Sequence, residues 1–593
     1  MNQDNKTILV TGSGTGIGQA IARKFAKIGY NIIILGRRKE PLIEASKILN
    51  EIITKEGHDT KVKYYSGIDV ADEEDINVLF ESIKMDFGKI DIIVNNAGVS
   101  GPVKIFTNSS YQDFKECVSI HLTGTFWTSI KSLESLKPDG TIITISTFFT
   151  EENKFEQRPY RFRTPYTAAQ GAKNRLVEAL GWELVEKGIR SIGTNPGPVH
   201  SDRIYKTVYP KAAAEFLRIG GFKGLTNKQI ENATFILLQF LGEKHDIIEK
   251  EAMKIAEKIV QENNESNSEI EKYKEILLKL IEKVQEIAEK VQYNTKKMIV
   301  DKEFLSQEDV AEMVYTLSKD SISRLINGRI IPNDRVFYPV KPNINKCINA
   351  DLNLSPKGNT ILITTTTDNV TDIDIIRKIA EKLNIANVKQ IIILTNKNDI
   401  LDKTKEILKE FHHHSIDFKD EEAIKRIFNT IKTRFGKIDS TIHFTGNFDY
   451  NKDITTLSRT EWDKLVNIFV NIPHLITRES VLSMTTNDAL EYPSKFKDSF
   501  GNIILIGPDA PVGNKIEGKI RARSEIFRGA LRPYITTANQ ELHDVLNSKI
   551  NLTLILQGSI DGIMPSYPKL ENTLINLSSQ KELKDNSILY INE

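Results

Sequence analysis

The feature of this sequence that most constrains its fold is an internal repeat. Residues 68–98 read IDVADEEDINVLFESIKMDFGKIDIIVNNAG, and residues 416–446 read IDFKDEEAIKRIFNTIKTRFGKIDSTIHFTG. Fifteen of these 31 positions are identical without a gap, at a constant offset of 348 residues. Solenoid repeats recur about every 20–50 residues, so an offset this long indicates a duplicated domain. We therefore expect a first domain over residues 1–342 and a related second domain over residues 356–593.

Strand and helix patterns alternate in the first copy. A short apolar run at 7–10 precedes a glycine-rich turn and a helical stretch over 17–28, and further apolar runs follow at 31–35, 91–94 and 141–145. Such alternation is typical of a parallel sheet with helices on both faces. The predicted fold class is α/β, with two tandem Rossmann-like, doubly wound parallel-sheet domains.

Residues 229–302 differ from the rest in being rich in Glu, Lys and Ile. Apolar residues there follow heptad spacing in two stretches separated by a polar turn at 263–268: Ile248, Ala252, Ile255 and Ile259, then Tyr273, Leu277, Leu280, Val284, Ile287 and Val291. The pattern predicts a helical hairpin, an antiparallel coiled coil, inserted into the first domain. It either packs on its own chain or on a second subunit, or it docks another protein.

Composition excludes several classes of function. The formal net charge of +1 gives no general attraction to nucleic acid or to an acidic membrane. Two cysteines, Cys117 and Cys347, are too few for a disulfide framework, and the sequence shows neither a signal peptide nor a membrane-spanning apolar run. The consecutive histidines 412–414 would point to alternate faces of an extended segment, so we expect no metal site. These observations predict a cytoplasmic protein that acts on a small molecule.

A glycine-rich loop between the first strand and the first helix predicts a dinucleotide site. Such a loop lets backbone N–H groups approach a pyrophosphate at the helix N-terminus. The residues expected at the cofactor are Gly12, Ser13, Thr15, Gly16, Ile17 and Gly18. The second strand ends at Arg37 and Arg38, where an NAD-preferring site would carry an acidic residue, so these cations favour NADP(H). The alternative is that they form a solvated charge run at a helix start.

With these motifs the sequence resembles the short-chain dehydrogenase/reductase superfamily. The other matching segments are Asp69-Val70, Asn95-Asn96-Ala97-Gly98, Ile145-Ser146-Thr147, Tyr166 at the start of a helix, and Asn195-Pro196-Gly197-Pro198. The resemblance implies that the first domain binds NADP(H). It also implies cofactor contacts from Asp69, Val70, Asn96, Ala97, Gly98, Pro196 and Gly197.

The family's catalytic tetrad of Asn, Ser, Tyr and Lys is only partly present. The resemblance makes Tyr166 the proton donor, with Thr147, aided by Ser146, hydrogen-bonded to the reacting oxygen. The lysine position holds Gln170, and the asparagine position holds His121, which would either relay a proton or simply pack. Gln170 lacks the charge that favours a tyrosinate, so alcohol oxidation should suffer more than carbonyl reduction. Lys173 lies about 10 Å along the helix from Tyr166, and we do not expect it to replace the missing lysine.

Over nearly its full length the sequence also resembles the amino-terminal half of bifunctional malonyl-CoA reductases. The matching segments are Ser146-Thr147-Phe148-Phe149, Arg163-Thr164-Pro165-Tyr166, Pro196-Gly197-Pro198, Ser201-Asp202-Arg203-Ile204 and, more weakly, the basic stretch 515–532. That half pairs a working reductase domain with a degenerate one and reduces malonate semialdehyde to 3-hydroxypropionate with NADPH. The thioester-reducing half is expected to be absent.

The loop before Tyr166 carries Arg158, Arg161 and Arg163, and in this fold it borders the substrate, so we expect an anionic carbonyl substrate with Arg163 and Arg203 as its ligands. The alternative is that these arginines are solvated or bind the cofactor. We also expect a homo-oligomer and a second domain without cofactor. In that domain the glycine loop has become Thr364-Thr365-Thr366-Thr367-Asp368-Asn369. Two alternatives stay open: reduction of a 3-oxoacyl thioester or another ketone, and a non-catalytic NADPH-binding scaffold. The scaffold alternative arises from the substitutions at positions 121 and 170.

Overall fold

The computed structural model describes residues 5–150, 161–199, 204–335, 356–367, 370–397, 401–446, 448–486, 493–512, 517–560, 567–579 and 588–591. In the first domain seven parallel strands form one sheet, in the order β3-β2-β1-β4-β5-β6-β7. The strands are β1 Thr7–Thr11, β2 Asn31–Gly36, β3 Val62–Ser66, β4 Ile90–Asn95, β5 Leu136–Ile145, β6 Arg190–Pro196 and β7 Ile330–Asn333. Their inner residues are apolar and buried because helices cover both faces of the sheet.

The first helix lies within one residue of its predicted span of 17–28, and eleven further α-helices follow it among the described residues of the first domain. These helices are α1 Gly16–Lys27, α2 Lys39–Glu56, α3 Glu73–Phe87, α4 Tyr111–Val118, α5 Gly124–Ser132, α6 Thr164–Glu183, α7 Tyr209–Gly220, α8 Asn227–Leu237, α9 His245–Asn263, α10 Ile270–Lys297, α11 Gln307–Ser318 and α12 Asp320–Ser323. Side-chain caps define several starts: Asp72 accepts from Asp75 N at α3, for example.

The second domain builds a sheet of eight parallel strands, in the order β10-β9-β8-β11-β12-β14-β13 with β15 also paired to β14. The strands are β8 Thr360–Thr365, β9 Gln390–Asn396, β10 His412–Ile416, β11 Ser440–Phe444, β12 Phe500–Ile506, β13 Ala510–Val512, β14 Lys549–Ile560 and β15 Ile588–Ile591. The helices are α13 Val370–Ile385, α14 Leu401–Ile407, α15 Glu421–Phe435, α16 Arg459–Val466, α17 Ile472–Met484, α18 Gly518–Gln540 and α19 Tyr567–Ser578. The predicted fold class is thereby confirmed.

The duplication extends to details of helix geometry. Helices α3 and α15 differ by 348 residues at both ends, and so do α4 and α16. Each of the latter runs into a wide helical turn, Ser119–Thr123 in the first domain and Asn467–Asn471 in the second, again 348 residues apart. The predicted first boundary near Pro342 lies outside the described residues, so the exact limits of the domains stay a prediction.

The inserted helices pack within their own chain. The heptad residues Ile255, Ile259, Leu277 and Leu280 lie in one buried cluster with Ile230 of α8. Further along α10, Val284 packs on α7. Helices α9 and α10 therefore form a small bundle with α7 and α8, and the two-helix arm expected from the sequence is not isolated. None of the helices in the described ranges has the length and apolarity needed to span a bilayer.

The two domains join through α6 and α18, the helices that precede β6 and β14 respectively. They approach so closely that a Cβ on Gly171 would lie 2.2 Å from the carbonyl oxygen of Gly529. The side chain of Glu183 on α6 accepts from Ile454 N and pairs with the buried Arg523 on α18. Equivalent helices of the duplicated domains thus face each other, as in an isologous dimer made from one chain.

Candidate active site

A cavity of about 860 Å³ opens at the carboxyl ends of the strands of the first sheet. This edge is where open parallel sheets bind ligands. Most residues predicted for the site line it: Gly12, Thr15, Gly16, Ile17, Arg37, Arg38, Asp69, Val70, Asn96, Ala97, Gly98, His121, Ser146, Thr147, Arg163, Tyr166, Gln170, Pro196 and Gly197. Arg203 lies outside the described residues.

The glycine loop is fastened to the segment that follows β4. The Asn96 side chain donates to the carbonyl oxygens of Thr11 and Gly12 at 2.9 and 3.1 Å, and the Thr11 hydroxyl accepts from Ala97 N at 2.8 Å. Gly12 has a φ of 64°, and a Cβ there would lie 2.8 Å from the Cα of Ala97. Only glycine fits this approach, so the loop keeps its backbone at the cavity wall.

Two residues predicted at the cofactor, Ser13 and Gly18, do not line the cavity. The Ser13 hydroxyl donates to Val10 O at 2.7 Å and accepts from Leu35 N at 3.1 Å, so it ties the loop to the sheet. A Cβ on Gly18 would lie 2.6 Å from the Asn96 side chain, which shows that this glycine serves close packing. Cofactor contact by Ser13 and Gly18 stays a prediction, and the structure adds that both residues also support the shape of the loop.

The adenosine end of the cavity carries charges of both signs. Arg37 and Arg38 follow β2, and an Arg37 guanidinium nitrogen lies 3.6 Å from a carboxylate oxygen of Asp69. The Arg37 side chain is 60% exposed. An ion pair this open is worth little, so the guanidinium can turn toward a phosphate at small cost.

At the opposite end the ring of Tyr166 lies between a guanidinium and an imidazole. The Arg163 guanidinium carbon is 3.8 Å from the ring centroid, and its Nη2 donates to Ser100 O at 2.9 Å. The His121 ring meets Tyr166 edge-on at 5.1 Å between centroids. Since Arg163 is buried, this arrangement sets a fixed positive charge beside the phenol.

The Gln170 side chain lies between Ser146 and His121 and contacts both. The Ser146 hydroxyl donates to Gln170 Oε1 at 3.1 Å. The amide nitrogen Nε2 of Gln170 lies 3.4 Å from His121 Nδ1. His121 Nε2 in turn lies 2.8 Å from Val99 O. In this arrangement the Ser146 proton is directed at Gln170.

Lys173, which we did not expect to replace the missing lysine, lies in the cavity. It lines the same wall as Tyr166 and Gln170 and is only 1% exposed. Burial lowers the pKa of its amine to about 7. Residues seven apart share a helix face, so Lys173 follows Tyr166 along the face of α6 that borders the cavity. The seven-residue spacing was the signal available in the sequence.

In the part of the second domain that the structure describes, the corresponding cleft is a cavity of about 20 Å³. The Thr367 hydroxyl donates to Asp372 at 2.7 Å, and burial raises the pKa of that carboxyl group. His443, which stands at the position of Asn95, is fully buried beside the Thr364 hydroxyl at 2.8 Å. Burial lowers the pKa of this imidazole to about 3.

Family models and curated relatives point to the same family of dehydrogenases and reductases. Residues 6–209 match the short chain dehydrogenase model, and residues 374–490 match the enoyl-(acyl carrier protein) reductase model. The chain is 28% identical over 236 residues to 7alpha-hydroxysteroid dehydrogenase of Escherichia coli (strain K12), which spans 40% of this chain and 87% of that protein. It is 32% identical over 200 residues to 3-oxoacyl-(acyl-carrier-protein) reductase FabG of Aquifex aeolicus (strain VF5), spanning 33% of this chain and 75% of that one.

Two solved structures share the tandem architecture. They are the C-domain and the N-domain of a bacterial malonyl-CoA reductase, both crystallised with NADP. The C-domain superposes with a TM-score of 0.71 and the N-domain with 0.66; each is 14% identical to this chain and covers 99% of it, over 98% and 97% of their own chains respectively. The likeness shows a common fold along the whole length of both domains.

Proposed function

The chain belongs to the short-chain dehydrogenase/reductase family, and on that premise we propose that it reduces malonate semialdehyde to 3-hydroxypropionate with NADPH. Family membership makes it a nicotinamide-dependent oxidoreductase. The substrate rests on one observation above all: Arg163 lies over the ring of Tyr166 inside the cavity. A guanidinium beside the proton donor suits a short substrate that carries both a carbonyl group and a carboxylate.

The described residues fit an NADP(H) molecule. The close approach at Gly12 and the open space at Gly16, where a Cβ would meet nothing within 4 Å, leave backbone N–H groups free to face a pyrophosphate. Arg37 and Arg38 would bind the 2′-phosphate, because guanidinium groups match phosphate geometry. Bound NADPH supplies the hydride that reduces the carbonyl carbon.

The side chains around Tyr166 donate the proton to the substrate and hold the substrate in place. Tyr166 donates its phenolic proton to the carbonyl oxygen as that oxygen gains negative charge. Thr147 donates a hydrogen bond to the same oxygen, and Arg163 binds the substrate carboxylate. His121, in edge contact with Tyr166, returns a proton to the phenolate after turnover.

A second candidate substrate is a 3-oxoacyl thioester. Its support is the 32% identity to the 3-oxoacyl-(acyl-carrier-protein) reductase of Aquifex aeolicus. The reactive-end geometry serves a ketone as well as an aldehyde, and the Arg163 guanidinium would then face an acyl chain without a carboxylate. A preference of the enzyme for substrates with or without a carboxylate therefore distinguishes the two candidates.

The deciding experiment measures NADPH oxidation with malonate semialdehyde, succinate semialdehyde, acetoacetyl-CoA, malonyl-CoA and propanal, which is malonate semialdehyde without its carboxylate. We expect kcat/KM to be highest for malonate semialdehyde. Arg163→Gln should raise KM for it about 10–100-fold and leave that for propanal unchanged, the usual loss for a charge-assisted contact. A preference for acetoacetyl-CoA or malonyl-CoA contradicts this substrate, and inactivity with every carbonyl compound indicates the scaffold instead.

A further inference from the structure

A buried carboxyl group of the second domain binds the backbone of the active site. Glu541 directly follows α18, in the wide turn Glu541–Val545, and its side chain is fully buried. One carboxyl oxygen accepts from Phe162 N at 2.6 Å, and the other accepts from Phe106 N at 2.8 Å. Both partners belong to the first domain.

Phe162 needs such a partner, because its backbone adopts an unfavourable conformation. Its φ is 64°, in the left-handed region, which costs a bulky residue about 1–3 kcal/mol and persists only where surrounding contacts impose it. Besides the bond to Glu541, Phe162 O accepts from Lys104 N at 3.1 Å, and its ring packs on Phe216 at 4.8 Å.

The strained residue directly precedes the reactive end of the cavity. Arg163, the next residue, stacks on Tyr166, and α6 begins at Thr164. The conformation at Phe162 therefore sets where the Arg163 guanidinium lies. One residue beyond Tyr166, the Thr167 hydroxyl lies 3.1 Å from that of Thr537 on α18, so the second domain contacts the site on both sides of the tyrosine.

We propose that Glu541 is a positioning residue through which the second domain holds the Phe162 turn, and with it Arg163 and Tyr166, in the conformation that supports catalysis. Two converging N–H donors require two acceptor oxygens on one side chain. Glutamine would present an NH₂ group to one of the donors and leave that donor unsatisfied. The proposal rests on the reductase activity of the first domain and holds for whichever carbonyl compound proves to be the substrate.

The test compares Glu541→Gln with Asp544→Asn, a control in the same turn. Asp544 pairs with Arg161 at 2.6 Å across the same interface, but both side chains are about half exposed. With the best substrate found, Glu541→Gln should lower kcat about tenfold or more, the effect of a small misplacement of reacting groups, and leave KM for NADPH unchanged. The control should keep both parameters.

Amide hydrogen exchange gives a readout independent of activity. In the native chain the Phe162 amide should be strongly protected, and Glu541→Gln should raise its exchange rate about tenfold or more, as expected for loss of a buried bond. Rapid exchange in the native chain shows that the turn is not held and overturns the proposal without any variant. Faster exchange with unchanged kcat overturns it equally. A wrong substrate assignment changes neither exchange result.

Discussion

At the scale of single residues, the adenosine end of the cavity can be tested by reversing one charge. Arg37→Asp should weaken NADPH binding by about 1–3 kcal/mol, because a charge-assisted contact to the 2′-phosphate is replaced by repulsion. NADH, which lacks that phosphate, should bind as before or better. Fluorescence titration measures both affinities, and Lys47→Asp on the exposed side of α2 makes the same charge change away from the cavity. Equal losses for both cofactors would contradict a role in phosphate recognition.

The missing lysine of the tetrad predicts the preferred direction of the reaction. Gln170→Lys should increase the rate of alcohol oxidation relative to carbonyl reduction, since a cation in the cavity stabilises the tyrosinate that accepts the alcohol proton. Gln170→Met is the matched control: it loses the bonds to Ser146 and His121 and adds no charge. Both directions are followed by NADPH absorbance. A similar gain in the methionine variant would show that charge is not the cause.

Lys173 should make the stability of the chain depend on pH. Burial lowers the pKa of its amine from the ordinary value of 10.5 to about 7. Between pH 7 and pH 10.5 the amine therefore carries a proton in the unfolded chain more often than in the folded chain. Stability then rises with pH across this window, and the cost of burying the amine is fully present below it. Lys173→Met should raise the melting temperature most at and below pH 7 and flatten its rise toward pH 10.5. A uniform increase at every pH would show that the amine does not titrate there.

The sequence indicated most of the residues that line the cavity, but it could not indicate contacts that depend on neighbours in space. Gly12 and Tyr166 were found because they stand at fixed distances from strand and helix ends. The sequence could not show that the Ser13 hydroxyl bonds Val10 O and Leu35 N, since those contacts depend on how the loop packs on β2. Glu541 could not be found at all, because its contacts join positions 379 and 435 residues apart.

At the scale of elements, the repeat and the apolar alternation were enough to predict both sheets. They could not predict that α6 and α18 would cross at Gly171, because that contact depends on how two domains meet. Heptad spacing correctly indicated which faces of α9 and α10 are buried. It did not indicate their partners, since the tertiary arrangement decides which of the other helices face α9 and α10.

The helix crossing yields a prediction about two helical glycines in different settings, one buried at the crossing and one exposed at the end of a helix. Gly171→Ala places a Cβ 2.2 Å from Gly529 O and should destabilise the chain by about 1–3 kcal/mol, as overpacking does. Gly220→Ala, at the end of α7, meets nothing within 4 Å and should be neutral or stabilising by up to about 1 kcal/mol. Thermal unfolding measures both. If Gly171→Ala is as mild as Gly220→Ala, the two helices are not in close contact.

At the scale of the whole molecule, the duplication gives two domains of different kinds. The first keeps an open cavity, and the second presents α18 to α6 and Glu541 to the Phe162 turn. Helix α6 thus finds its symmetric partner inside the chain. The homo-oligomer expected from the sequence stays a prediction, and it would have to use other surfaces.

This asymmetry predicts how many cofactor molecules one chain binds. Calorimetric titration with NADPH should give one site per chain, because the cleft of the second domain leaves about 20 Å³ against about 860 Å³ in the first. Gly12→Leu should abolish that site, since its side chain would collide with the backbone of Ala97. Asp372→Asn removes the carboxylate from the second cleft without enlarging it, so the stoichiometry should remain one. A stoichiometry of two in the native chain, or residual binding in Gly12→Leu, would mean that the second domain still holds a nucleotide.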